Sequence, residues 1–235
     1  MMIDKTKCTA CGECIKYCTV SAIRIKDKKG EINQELCAEC GNCLRVQICP
    51  VGAIFQNSLE WPRTIRNIFS DPISVFQETG VSGRGTEEMK TNDVTGRFKG
   101  GEVGFAIDVG RPNGGGIYLR EVEKITRALA PLRVQFEKDS PITYLFEDPE
   151  AGTMKKDVLD EFVVSAIIEF KVPLSKCVEV VTTLKEVSKK VKTVFSVGVI
   201  SIVEEDGSIP AKAVLEKAGA QFSPAGKTNI GLGRM

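Results

Sequence analysis

The chain contains no histidine among its 235 residues, and it has a single tryptophan. Without histidine, Ser-His and Cys-His nucleophile pairs are excluded, along with the commonest general base and a frequent zinc ligand. An excess of one charge is also missing: 32 Lys and Arg stand against 31 Asp and Glu. That balance gives no reason to expect nucleic acid or an acidic membrane as partner. No apolar run approaches a membrane span, and the opening Met1-Met2-Ile3-Asp4-Lys5-Thr6-Lys7 lacks the apolar stretch of a secretory signal. The expectation is a cytoplasmic protein, whose 42% apolar content supports one large or two modest domains.

Cysteine is plentiful and unevenly placed. Eight of the nine fall between Cys8 and Cys49, and Cys177 stands alone. In a reducing compartment stable disulfides are not expected. The first run is Cys8-x2-Cys11-x2-Cys14-x3-Cys18, and the second is Cys37-x2-Cys40-x2-Cys43-x5-Cys49, followed by Pro50. The two runs form an internal repeat, each with Cys-Gly-x-Cys and each ending in Ala-Ile. Tight triplets suit an iron–sulfide cubane, in which one short loop supplies three thiolates and a distant cysteine the fourth. Gly12 and Gly41 let the backbone curl closely around inorganic sulfide. Zinc prefers two separated pairs, so iron–sulfur is favoured over the zinc and free-thiol readings.

Residues 1–56 resemble the bacterial-type ferredoxin with two [4Fe–4S] clusters. The resemblance implies that the fourth cysteine of each run serves the other cluster. One cluster would then take Cys8, Cys11, Cys14 and Cys49, and the other Cys37, Cys40, Cys43 and Cys18. Two departures from the family pattern are Thr19, where proline is usual, and the five-residue spacer before Cys49, which bears on the local geometry there. Through Phe55, eight basic and six acidic residues leave +2. Each four-thiolate cluster adds about −2, so the loaded domain carries a mild field that suits a partner of either sign. A cubane with four cysteine ligands has no open position, so it passes single electrons rather than binding substrate. Exposed cubanes are oxygen-sensitive, which points to an anaerobic or microaerobic host.

Alternation around Lys28-Lys29-Gly30 predicts a hairpin between the runs. "LEWPRTIRNIFSDP" predicts a short helix ending before Asp71-Pro72, with Trp61 packed at a domain junction. The glycine-rich stretch to Gly101 reads as a mobile linker. The competing reading is a docking or anion-binding surface of Arg84, Lys90, Arg97 and Lys99. Its glycines lack dinucleotide-binding spacing.

From Glu102 onward strands and helices alternate. Leu119, Val122, Ile125 and Leu129 share one helical face, and Cys177, Val181, Leu184 and Val191 share another. "EVGFAIDVG", "LRVQFE", "FVVSAIIEFKV" and "TVFSVGVISIVEE" read as strands, and "IPAKAVLEKAG" as a closing helix. This βαββαβ order predicts an α+β ferredoxin-like sandwich over residues 102–235, after a helix and linker at 57–101. The strand, "GRPNGGG" loop and helix also resemble the first unit of an ACT domain, which implies a small-molecule ligand at that loop. An ordinary strand–helix connection is the plainer reading. Cys177 lies on the core face and reads as structural. "PAGKTN" is not a phosphate loop, because the glycine required five positions earlier is Gln221. The ending "GKTNIGLGRM" reads as an exposed tail or partner contact.

The first expectation for function is therefore an electron carrier, or an electron-transfer subunit, that works with a redox partner protein. The alternative is a redox-linked regulator whose C-terminal domain senses a metabolite. An enzyme in its own right is the weakest reading, because the chain shows no acid–base machinery and no flavin or nicotinamide site.

Overall fold

The structure, a computed structural model, describes residues 1–77, 80–86, 88–110, 115–222 and 230–233. Near the N-terminus, β1 (Met2–Ile3) pairs antiparallel with β4 (Ile54–Phe55), while β2 (Ile23–Lys26) and β3 (Lys29–Ile32) form the expected hairpin. Its two turn residues, Asp27 and Lys28, both take left-handed angles (φ 50° and 58°), the twist that two-residue hairpin turns favour. Ile23, Ile32 and Ile54 bury with Ala22, Cys37 and Cys43 in a small core, which Phe162 from the C-terminal part completes.

α1 (Asn42–Arg45) is a single turn, and α2 (Thr64–Ser70) ends at Asp71 as predicted. α2 buries Ile65, Arg66 and Phe69. Trp61 is half open, and its indole N–H donates to Asp157, so it touches the C-terminal part without being enclosed.

The C-terminal part is built on five antiparallel strands: β5 (Glu102–Val109), β6 (Gln135–Phe136), β7 (Ala166–Pro173), β8 (Val194–Ile200) and β9 (Ile230–Gly233). Their order across the sheet is β9-β8-β5-β7-β6. Side chains alternate between faces along a strand. Val103, Phe105, Ile107 and Val109 therefore join Ala166, Ile168, Phe170 and Val172 on one face, all nearly inaccessible. Phe105 and Phe170 face each other across the ladder with rings stacked 5.1 Å apart. Onto this face pack α3 (Leu119–Leu129) and α4 (Cys177–Val187) through the predicted stripes. Each such side chain contributes about 1.5–3 kcal/mol on burial. α5 (Pro210–Lys217) adds Ala211 to the same core.

The opposite face holds a finding that composition did not suggest. The described residues of the glycine-rich stretch lie against the sheet, with Met89 and Phe98 buried. Thr86 gives its hydroxyl to the buried carboxylate of Glu169 at 2.9 Å, and Arg84 bonds Asp108 and Ser165 at 2.7 and 2.8 Å. Two glycines permit this approach. A Cβ on Gly104 would stand 2.9 Å from the Phe98 ring, and one on Gly85 would stand 2.6 Å from Ile167 Cβ. A mobile linker does not describe these packed residues, and at Gly85 the glycine serves close approach rather than looseness.

Three strands differ from the sequence reading. "FVVSAIIEFKV" breaks in two: Phe162–Val163 pairs with Ile117–Tyr118, and β7 starts at Ala166. "LRVQFE" shortens to Gln135–Phe136 because Arg133 takes a left-handed turn (φ 53°). Ile230–Gly233, expected in a tail, is an edge strand on β8. Residues 224–229 of "PAGKTN" and 111–114 of "GRPNGGG" lie outside the described residues. No helix among the described residues is long and apolar enough to cross a membrane.

Candidate metal centre

The two cysteine runs fold in the same way, step by step. Asp4 and Asn33 each accept a backbone N–H two residues on, from Thr6 and Glu35, both at 2.9 Å. The Cys8 and Cys37 amides then bond back to the Asp4 and Asn33 carbonyls, both at 3.0 Å. Left-handed residues follow in pairs: Ala10 with Glu39, Gly12 with Gly41, and Ser21 with Gly52. At Gly41 a side chain would also collide with Arg45 Nη1 at 2.6 Å. The fourth cysteines close alike, with Ala22 N–H donating to Cys18 Sγ at 3.0 Å and Ala53 N–H to Cys49 Sγ at 3.2 Å.

The unequal spacers are absorbed locally. In the first run residues Glu13–Tyr17 make a tight 3-10 turn. In the second, α1 is followed by left-handed Gln47 (φ 49°), and the two extra residues are taken up before Cys49. Thr19, in the usual proline position, places its hydroxyl 3.4 Å from Cys40 Sγ.

The sulfurs gather four and four. Cys8, Cys11, Cys14 and Cys49 line one cavity, together with Gly12, Ile25, Gly30 and Val51. Burial pushes the Cys14 thiol up, and Cys11, Cys49 and Cys8 push it the same way. Cys43 is pushed up to about 12 by burial, and its neighbouring sulfurs are Cys40, Cys37 and Cys18. Each group thus joins a triplet from one run to the last cysteine of the other. No disulfide joins any of the nine cysteines. Among the described residues no three His, Cys, Asp or Glu groups are set to hold a single metal ion. Four crowded thiolates repel one another, and a positively charged cluster core is what offsets that repulsion. Backbone N–H groups already face the sulfurs: Gly30 donates to Cys8 Sγ at 3.2 Å. Burial works against the Cys49 thiolate, yet the Ala53, Val51, Ile54 and Gly52 amides hold its thiol below the ordinary value. The donor set and the N–H groups around it fit an iron–sulfur cluster at each group.

The two groups sit in unlike surroundings. Cys11 is exposed, whereas Cys37 and Cys43 are buried against the C-terminal part. The inner group is bolted there by Arg66, whose Nη1 donates to the carbonyls of Gln34, Glu35 and Cys37 at 3.0, 2.8 and 3.0 Å. The Nε of Arg66 pairs with Glu161. Asn67 bonds the Glu39 carbonyl at 2.9 Å, Arg63 the Glu39 carboxylate at 2.9 Å, and Arg45 the Cys40 carbonyl at 2.7 Å. Sequence reasoning missed these arginines, because an isolated Arg on a short helix carries no local signal of what it will reach. Cys177 sits in the main core with its thiol pushed up by burial to about 11, as a structural cysteine should. Of the four cations suggested as a docking surface, Arg84 is held by Asp108 and Arg97 by Glu88 and Asp139, so these two serve the packed segment.

A family model described as a 4Fe-4S dicluster domain matches residues 7–53. Over 52 residues the chain is 42% identical to the pyruvate synthase subunit PorD of Methanothermobacter marburgensis, covering 22% of this chain and 58% of that protein. Over 47 residues it is 47% identical to a subunit of the ion-translocating oxidoreductase complex of Methanosarcina acetivorans, covering 20% of this chain and 17% of that protein. No solved structure matches. The likeness is thus confined to the cysteine block and spans less than two thirds of either relative. Within that block the dicluster match implies two [4Fe–4S] clusters and supports an iron–sulfur electron-transfer role.

Proposed function

We propose that this chain is an electron-transfer protein, or an electron-transfer subunit of an oxidoreductase, and not itself an enzyme. In this reading Cys8, Cys11, Cys14 and Cys49 hold one [4Fe–4S] cluster, and Cys37, Cys40, Cys43 and Cys18 hold the other. When bound, each cluster supplies a one-electron couple. The chain's own residues fix the sulfurs in two cages, direct amide N–H groups at them, and bury Cys37 and Cys43 of the inner one. The observation that carries the reading is the crossed four-and-four grouping of the sulfurs. Both relatives are named as subunits, which favours a fixed or docked partner over a solitary role.

The C-terminal part is read as a ferredoxin-like sandwich, supported by β8-β5-β7-β6 order with α3 and α4 on one face. Residues 57–101 then join the two domains and close the second face of the sheet. No observation favours metabolite sensing, since most of its loop lies outside the described residues. Anaerobic purification with iron and sulfide analysis tests the reading. About eight irons per chain are expected. Fewer than about six, or no cubane signal by EPR after reduction, would overturn it.

A further inference from the structure

The carbonyl oxygens of Cys8 and Cys37 are equivalent atoms of the two runs, and each accepts a hydrogen bond from a cation. Arg66 Nη1 reaches Cys37 at 3.0 Å, and Lys29 Nζ reaches Cys8 at 2.7 Å. The two cations are balanced differently. The Nε of Arg66 pairs with the Glu161 carboxylate. Lys29 forms no ion pair among the described residues, and its Nζ is given to the Cys8 carbonyl instead. The acids around Cys8 and the hairpin are turned elsewhere. Glu31 bonds Arg24 at 2.7 Å, with Lys26 and Lys5 also near it, and Asp4 accepts the Thr6 amide at 2.9 Å. Asp27 is exposed in the turn, as are Lys26 and Lys28, whereas Lys29 is half-buried. The next residue, Gly30, donates its amide to Cys8 Sγ at 3.2 Å. A Cβ on Gly30 would stand 3.3 Å from that sulfur and 2.9 Å from Ile3 Cδ1. Its absence lets β3 lie against Cys8, which brings the Lys29 ammonium within reach.

A fixed positive charge beside a redox site favours the state that carries the extra electron. It acts most strongly where solvent screens it least, so a half-buried ammonium outweighs an exposed one at the same separation. We propose that Lys29 is a positioning residue of the outer site, a fixed and unpaired cation that raises the potential of that couple. The proposal rests on the two-cluster reading and identifies a residue that sets one couple apart from the other. Reduction brings in one electron from a one-electron donor, with no bond formed or broken, and the site gains one negative charge. Through the Cys8 carbonyl, Lys29 stands beside that charge, while Arg66 shares its own with Glu161. The cation and the openness of the outer site act in the same direction, both toward easier reduction.

The test is an anaerobic, EPR-monitored redox titration of the full chain with dithionite as donor, run on the unaltered protein and on K29M, K29Q, K29R and K28M. K29M should lower the reduced-to-oxidised ratio of the faster-bleaching outer couple about fivefold at fixed potential, about 40 mV at about 59 mV per tenfold. K29Q keeps an N–H donor for the Cys8 carbonyl but no charge, and it should do the same. K29R keeps the charge and should stay within about twofold of the unaltered chain. The inner couple should hold its place throughout. K28M removes an equal charge from the exposed turn, and its effect should vanish in about 0.3 M salt while that of K29M persists. An outer couple unmoved by K29M, or moved as far by K28M at that salt, would overturn the role of Lys29. So would a shift in K29M that K29Q does not share, which would assign the effect to the bond rather than the charge. Iron is measured on every sample, and its loss from both K29M and K29Q would make Lys29 a structural residue and overturn the proposal too. Missing clusters in the unaltered chain would overturn the reading beneath it as well.

Discussion

The outer and inner cysteine groups are near copies in backbone and opposites in setting. Both use an Asx turn, paired left-handed residues and an amide bonded to the fourth sulfur. Only the inner one is roofed by another part of the chain, through Arg66 and the aromatic Phe162. A duplicated motif thus supplies two equal cages, and the surroundings make them unequal. Burial penalises the negative charge that reduction adds, so the inner couple should be the more negative and the outer the more accessible.

The largest test of that inequality removes one fourth cysteine at a time. C18S should cost the inner cluster, and C49S the outer, although each residue belongs to the other run. Iron should fall from about eight to about four in either case. C49S should retain the more negative, slowly bleaching couple, and C18S the less negative, fast-bleaching one, as read by EPR-monitored titration and absorbance decay in air. If C18S instead left the inner signal intact, the crossed assignment would fail.

Next comes the bolt. R66M strands the half-buried Glu161 carboxylate and three carbonyls, a change worth about 3–5 kcal/mol. Thermal unfolding should shift accordingly, and air bleaching of the inner cluster should approach the outer rate. Unchanged bleaching would mean that the roof does not protect it.

A pH effect of similar size should arise in the central sheet, where Thr86 bonds Glu169. Burial pushes the Glu169 carboxyl up from 4.5 to about 7, against the opposing Thr86 bonds. The folded chain therefore holds a proton that the unfolded chain has released between these values. Stability should decline as pH rises from 4.5 to about 7, by about 3 kcal/mol at most, and level off above. E169Q should flatten that slope in chemical denaturation, and a slope unaffected by E169Q would assign it elsewhere. The smallest effect belongs to T19A, which removes a weak hydroxyl–sulfur contact at Cys40. A slight negative shift of the inner couple alone is expected in titration.

How much of this was legible depended on whether a residue's role is local. Cysteine spacing pointed to iron–sulfur cages and the ferredoxin resemblance implied the crossed grouping, while the helical stripes at Leu119–Leu129 and Cys177–Val187 appear where periodicity put them. The packed segment was not legible. Gly85 looks like flexibility in a sequence, and its close approach to Ile167 exists only in three dimensions. The edge strand Ile230–Gly233 was hidden by its glycines, which weaken strand preference. Left-handed Ala10, Ser21 and Glu39 gave no warning either, because only tertiary packing makes such residues adopt those angles. Arg66 stands in the helix predicted for it, but its three carbonyl partners lie about thirty residues away in sequence.

The most direct measurement is an anomalous difference map at the iron edge from anaerobically grown crystals of the full chain. The account predicts two four-iron peaks, one contacted by Cys8, Cys11, Cys14 and Cys49 and one by Cys18, Cys37, Cys40 and Cys43. A single zinc-like peak, or two peaks each bound by one contiguous run, would contradict it.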